Sequence, residues 1–281
     1  MAAGGAGNGR GRPAGGAGRT ALITGASSGI GLDLSSMFAA DHWNVVLVAR
    51  NEAKLRDAAA GLARRNGIEA RALHADLSDP GAPRAIGAWL SDHGVRVDAL
   101  VNNAGFGVYG PFATTDGEAE LKMIQVNVVA LVHLTKLLLG GMLQRGRGWI
   151  LNVASTAAFQ PGPLMAVYYA SKSFVLSFSE ALACELDRGG VTVTALCPGP
   201  TETGFQTGAD MKASRLVRSR LMMDSMSVAK AGYDGLMRGE TLVIPGLTNR
   251  LMAGVVRFLP RRAVTRFVRR AMAPAAPGGS S

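Results

Sequence analysis

Between Thr20 and Pro245, short apolar runs bounded by turn residues alternate with longer stretches in which apolar positions recur at helical spacing. The runs Thr20–Thr24, Asn44–Ala49, 68–74, 99–101, Gly148–Val153, Val191–Leu196 and 241–244 read as strands. Gly29–Ala40, Glu52–Asn66, 83–93, 118–145, 166–188 and 227–238 read as the helices between them. Strands that are apolar on both faces, each followed by a helix, predict an α/β fold. The expected form is one doubly wound parallel sheet of about seven strands with helices on both faces. No repeat of solenoid period appears, and nothing between Thr20 and Pro245 reads as a linker, so 19–246 reads as one domain.

A chain of 281 residues, 48% hydrophobic, is long enough for one sizeable core. The formal charge of +10 is unevenly placed. Arg10, Arg12 and Arg19 near the start and seven arginines within 241–281 account for the whole excess, so 21–240 is electroneutral. A neutral centre argues against a nucleic-acid groove across the fold and leaves an anionic partner for the ends alone. Residues 1–18, mostly Gly, Ala and Arg, read as a disordered tail lacking the apolar stretch of a secretory signal, and 273–281 as a second tail. In the window 121–143, Lys122, Gln125, Asn127, His133 and Lys136 interrupt the apolar residues. No membrane-spanning helix is therefore expected, and a cytoplasmic location is. Cys184 and Cys197 cannot form a disulfide framework or a four-ligand zinc site, and are expected to be buried thiols. His42, His74, His93 and His133 are scattered singly, so no metal site is expected.

Candidate chemistry collects at the strand ends. Thr24-Gly25-Ala26-Ser27-Ser28-Gly29-Ile30-Gly31 follows a strand and opens a helix, where backbone N–H groups can meet a pyrophosphate. A glycine turn of this kind is common without a ligand. The second strand, however, ends in Arg50-Asn51 and the third in Asp76-Leu77. The fourth ends in Asn103-Ala104-Gly105, the fifth in Ser155 and the sixth in Pro198-Gly199. An open parallel sheet binds its ligand at those ends. Tyr168 and Lys172, four apart on a helix, present a phenol and an ammonium to one cleft. A nearby cation favours the phenolate, so Lys172 is expected to lower the Tyr168 pKa. Tyr169 competes for the role, but its neighbour four residues on is Ser173, which brings no cation. An acid at Arg50 would bind the ribose hydroxyl of NAD, whereas a guanidinium pairs with the 2′-phosphate of NADP. Ser27, Asn51 and Lys54 are candidate further contacts, and Glu52 keeps NAD open as the alternative. Asp76 is assigned to the adenine amino group.

The segments 24–31 and 102–105, with Asn127, Ser155 and Tyr168-Tyr169-Ala170-Ser171-Lys172, resemble the short-chain dehydrogenase/reductase family in order and spacing over 19–200. Asn103-Ala104-Gly105-Phe106-Gly107, Asn152-Val153-Ala154-Ser155 and Cys197-Pro198-Gly199-Pro200 look closest to a broad bacterial branch of NADP-dependent reductases. The resemblance implies a Rossmann-type sheet and a catalytic tetrad of Asn127, Ser155, Tyr168 and Lys172. Ser155 then steadies the substrate oxygen, Tyr168 moves the proton and Lys172 holds the nicotinamide ribose. Asn127 bends its helix and positions a water, or is simply a buried, hydrogen-bonded Asn. The implied activity is NADP(H)-dependent carbonyl–alcohol interconversion by a homodimer or homotetramer, assembled through helices 118–145 and 166–188.

Beyond Gly199, Thr201 and Thr203 are expected over the nicotinamide. Phe106, Val108, Phe159, Pro161, Met165 and Phe205 are expected to line an apolar pocket, so an apolar or amphipathic small-molecule substrate is favoured. The methionine-rich segment 211–226 reads as an adaptable lid or as ordinary gap-filling. Residues 247–272 read as two basic amphipathic helices joined at Pro260, with Val264, Phe267 and Val268 on one face. Packing on the protein is favoured over a membrane surface for them. Two other readings are an idle dinucleotide-binding protein and a membrane-peripheral scaffold. The complete tetrad argues against the first.

Overall fold

The computed structural model describes residues 16–202 and 222–273. Seven parallel strands form one sheet in the order β3-β2-β1-β4-β5-β6-β7. They are β1 Thr20–Thr24, β2 Asn44–Ala49, β3 Ala70–His74, β4 Ala99–Asn102, β5 Gly148–Val153, β6 Val191–Leu196 and β7 Leu242–Val243. The helices are α1 Gly29–Ala40, α2 Glu52–Asn66, α3 Ala82–Asp92, α4 Gly117–Ile124, α5 Leu131–Gln144, α6 Ala166–Glu185, α7 Ser225–Arg238, α8 Leu247–Val255 and α9 Arg261–Met272.

The two-residue period of the strands divides the core. Ala21, Ile23, Val45, Leu47 and Val101 pack under Leu34 and Phe38 of α1, Leu55 and Leu62 of α2, and Leu236 of α7. Leu22, Val46, Val48, Leu100 and Ile150 face Ile86 of α3, Leu134 and Met142 of α5, and Leu182 of α6. Each such leucine contributes about 1.5–3 kcal/mol when fully buried. Local signals set the helix ends. Asn51 caps α2 by accepting from Lys54 N–H, and Gly67 ends it in the left-handed region at φ 64°. The strand order reverses between β1 and β4, which opens a crevice above their carboxyl ends.

Three readings need correction. The helix expected over 118–145 is divided by a π-helical turn at Gln125–Ala130, with Asn127 inside it. By length and apolar composition, Gly117–Gln144 passes as a membrane span. Yet Met123, Asn127, Ala130, Leu131, Leu134, Thr135 and Met142 are buried in the fold. Cys184 is exposed, because its position on α6 faces away from the sheet; Cys197 is buried as expected. Phe267 lies on the outer side of α9, while Val264, Val268 and Met272 turn inward. The methionine-rich segment lies outside the described residues except from Met222 onward.

Candidate active site

A cleft of about 1160 Å³ runs along the carboxyl ends of the strands. At its centre is the glycine turn. Gly25 and Gly29 take φ 66° and 54°, which an L side chain rarely adopts. A Cβ on Gly31 would meet the Asn103 side chain at 2.4 Å. Asn103 closes the turn onto β4 by donating to Thr24 O at 2.9 Å and Gly25 O at 3.2 Å. Thr24 Oγ1 accepts from the backbone N–H groups of Asn103 and Ala104, each at 3.0 Å. Ser28, the N-cap of α1, makes no side-chain cap bond. The first N–H groups of α1 are therefore left for an anion at the cleft. This arrangement fits a dinucleotide pyrophosphate.

One end of the cleft is bounded by Arg50, Asn51, Asp76 and Leu77, all in its lining. Asp76 Oδ1 accepts from Ser78 N and Ser78 Oγ at 3.0 and 2.8 Å. Burial raises the Asp76 pKa, but those bonds and the nearby Arg50 charge outweigh it and hold the carboxyl below its usual value. Glu52 is engaged by Arg56 at 2.5 Å and, like Lys54, is not part of the lining.

Tyr168 and Lys172 stand one turn apart on α6, both buried, and both line the cleft with Ser155. Ser155, two residues beyond β5, caps a 3₁₀ turn by accepting from Ala157 N at 3.1 Å. Its hydroxyl is also hydrogen-bonded to the Tyr168 phenol. Lys172 Nζ donates to Val153 O at 2.8 Å and lies 5.8 Å from the Tyr168 ring centroid. The expected lowering of the phenol does not appear in the protein alone. Burial raises Tyr168 above its ordinary range, with the Ser155 bond opposing, because the ammonium is aimed at a carbonyl instead of the ring oxygen. Burial also brings Lys172 down to about 8. A neutral phenol is the form that can donate a proton. Tyr169 lines the cleft too, and burial pushes it up to about 12, but the Ser155 bond belongs to Tyr168. The Cys197 thiol, raised by burial to about 12, stays protonated beneath Ser155 and Lys172.

Asn127 is behind the cleft and does not line it. Its Oδ1 accepts from Phe106 N at 3.1 Å, and its Nδ2 donates to Phe106 O and Ser171 Oγ at 3.0 and 3.1 Å. Every polar atom of the amide thus fixes the segment after β4 to α6. A Cβ on Gly105 would lie 3.0 Å from Asn127 Oδ1 and 3.4 Å from Lys172 Nζ. Of the expected pocket residues, Phe106, Phe159 and Met165 line the cleft. Val108 packs in the cluster with Met165 and Tyr168 instead, and Pro161, half-buried, is likewise not part of the lining. Pro198, Gly199 and Thr201 are in place, whereas Thr203 and Phe205 lie outside the described residues.

Several contributors escape a reading by strand ends. Asn102 donates to Thr135 Oγ1 and Asn152 Oδ1, and Asn152 donates to Ser179 Oγ, so a buried polar ladder ties α5, β4, β5 and α6 together. Such a ladder stabilises only when complete. The C-terminal helices wall the cleft with Thr248, Asn249, Met252, Ala253 and Met272. A Cβ on Gly199 would meet Asn249 at 2.6 Å, and Tyr109 Oη donates to Met272 O at 2.6 Å. Packing of these helices on the protein is as expected. The local signal read for them was the apolar row Val264, Phe267 and Val268, of which Val264 and Val268 are buried.

A family model described as short chain dehydrogenase matches residues 19–213. The chain belongs to the short-chain dehydrogenase family. It is 40% identical over 185 residues to a Streptomyces coelicolor protein named "Putative ketoacyl reductase", covering 65% of this chain and 70% of that one. A short-chain dehydrogenase from Sphingobium yanoikuyae, solved with NADPH, superposes with TM-score 0.76 at 32% identity, covering 86% of this chain and 97% of that one. The 3-ketoacyl-(acyl-carrier-protein) reductase from Brucella melitensis, solved with NADH, gives 0.69 at 31% identity, covering 80% and 95%. The chain is an oxidoreductase of a family that takes a nicotinamide dinucleotide and a small-molecule substrate.

Proposed function

We propose that the protein interconverts an apolar or amphipathic carbonyl and its secondary alcohol with NADP(H), Tyr168 acting as general acid/base. The observation that carries this reading is the buried Ser155–Tyr168–Lys172 group on the wall of a cleft whose far end carries Arg50. The bound dinucleotide supplies or accepts the hydride. Ser155 and Tyr168 hold the substrate oxygen between two hydroxyls. In reduction the neutral phenol gives up its proton as charge develops on that oxygen, and the Ser155 donor steadies the charge. Lys172 steadies the phenolate left behind and holds the nicotinamide ribose. Asn127 acts through Phe106 and Ser171 as a positioning residue.

Gly25, Ser27, Ser28, Gly29, Ile30 and Gly31 hold the pyrophosphate side, and Asn103, Ala104 and Gly105 the nicotinamide half. Arg50 favours the 2′-phosphate, supported by the pairing of Glu52 with Arg56 outside the cleft lining. Arg50→Asp should reverse the preference. Calorimetric titration of the wild type should show NADPH binding roughly 10–100-fold tighter than NADH, the span of a charge-assisted pair. Equal binding of the two would overturn the role of Arg50.

Phe106, Phe159, Met165 and Met252 support the apolar substrate. The reductase relatives suggest ketones carried on acyl chains. A panel of lipophilic ketones, steroids and 3-ketoacyl thioesters, followed by NADPH absorbance, tests the class; turnover of small charged carbonyls alone would sink it. Self-assembly through exposed Leu121, Ile124 and Leu137 of α4 and α5 and Phe174 of α6 completes the reading, with molar mass in solution as its check.

A further inference from the structure

The outer side of the C-terminal helices is built unlike the rest of the surface. On α8, Leu247, Leu251 and Val255 recur every four residues and are exposed, Leu247 by 83%; Phe258, in the 3₁₀ turn that follows, is 88% exposed. Such a row on one helix face is normally buried. On α9 the buried row is Val264, Val268 and Met272, and the opposite side carries Arg262, Arg266, Arg269 and Arg270, with Phe267 beside them. Arg262, Arg266 and Arg270 are also four apart, a spacing at which like charges repel. Residues 241–281 contain no acid, and none of these arginines makes an ion pair among the described residues.

We propose that this face docks on an anionic lipid bilayer, with the apolar row of α8 and Phe258 entering the headgroup boundary and the α9 arginines meeting lipid phosphates. The charge selects the partner. A nucleic acid would satisfy the arginines but leave Leu247, Leu251 and Val255 in water, whereas an anionic bilayer takes both. The placement of the cleft agrees. The inner side of α8 lines it through Thr248, Asn249 and Ala253, and Met252 both lines the cleft and is half exposed. The mouth therefore opens beside the apolar row, facing the lipid in the docked state. Docking does not depend on the reaction proposed above.

The test is flotation of the full chain, without substrate, on vesicles of phosphatidylcholine alone or with about 30% phosphatidylglycerol, at physiological salt. The wild type should float with the anionic vesicles and remain below with the neutral ones. Each arginine near an anionic surface changes partition by about fivefold. The combined variant R262Q/R266Q/R269Q/R270Q should therefore lose about 600-fold. L251Q/F258Q, which keeps every charge, should lose about tenfold or more. NADPH titration and circular dichroism confirm that both variants are folded. Failure of the wild type to float, equal flotation on neutral vesicles, or unchanged flotation of both variants would overturn the proposal. So would a fall in molar mass of L251Q/F258Q with no change in flotation, which would assign the row to a second copy of the chain.

Discussion

The two ends of the sheet each bury a charge, and they treat it in opposite ways. At the amino end, Asp98 is fully buried just before β4. Its Oδ2 accepts from Thr20 N–H at 3.2 Å, and its Oδ1 lies 3.4 Å from Arg96 Nε and 3.6 Å from Arg145 Nε. The guanidinium contacts are ion pairs without hydrogen-bond geometry, yet two cations surround one carboxylate. At the carboxyl end, Lys172 is 5% exposed, donates to one carbonyl, and faces no carboxylate at ion-pair distance among the described residues. Burial accordingly lowers it to about 8. A buried charge surrounded by its counterions is structure. One left without them lowers stability and remains available to a reaction, which is where perturbed groups concentrate.

The largest expected effect isolates the chemistry from the charge. Tyr168→Phe keeps the ring and removes the acid, so turnover should fall by about 10²–10⁴ while NADPH affinity survives. Tyr169→Phe should cost little. Steady-state rates with an active ketone decide, and the reverse ranking would move the acid to Tyr169.

Asp98→Ala should lower stability by about 3–5 kcal/mol, because it strands Arg145 in a partly buried site. The turnover of the folded fraction should stay near wild type. Urea unfolding paired with rates per folded molecule checks this, and a loss of turnover comparable to that of Tyr168→Phe would erase the division between the two ends.

Lys172→Met should do the opposite: turnover falls while the unfolding midpoint at neutral pH rises. The folded-state pKa of Lys172 is depressed, so its charged form destabilises the fold below about 8. In the wild type this penalty is relieved as pH climbs from there towards the ordinary lysine value, where the unfolded chain holds the extra proton. That rise in stability should be missing in Lys172→Met. For reduction, kcat/KM of the wild type should decline above about pH 8 as the ammonium loses its proton. A lower midpoint for Lys172→Met, as for Asp98→Ala, would show both charges to be structural.

The smallest effect sharpens the comparison at one atom. The Cβ of Gly105→Ala would press on Asn127 Oδ1 and approach Lys172 Nζ. Turnover should drop about two- to tenfold with little change in stability, the size of a shift of a few tenths of an ångström. An unchanged rate would show that Lys172 tolerates displacement.

Much of this site is legible along the chain. The strand–glycine–helix turn, the polar strand ends and the pair Tyr168 and Lys172 are neighbours in sequence or fall at one fixed end of each strand, so local periodicity locates them. The concentration of arginine beyond residue 240 is visible by inspection. The state of those groups is less legible. Spacing alone suggested that Lys172 lowers the Tyr168 phenol, whereas burial raises it. Asn127 was legible as a buried amide but not as the clamp on Phe106, 21 residues away. The ladder from Asn102 through Asn152 to Ser179 spans still larger separations.

By itself, then, the sequence determined the order of strands and helices, the dinucleotide turn, the reactive residue types and the segregation of charge. Each of these is set by neighbours within a few positions. Only the tertiary structure decided that α8 and α9 wall the cleft, that Val108 and Pro161 leave its lining, that Cys184 is exposed, and that Asp98 has ion-pair partners while Lys172, among the described residues, has none. Those outcomes depend on which distant surfaces exclude water together, and desolvation is a property of the assembled neighbours and not of any residue's place in the chain.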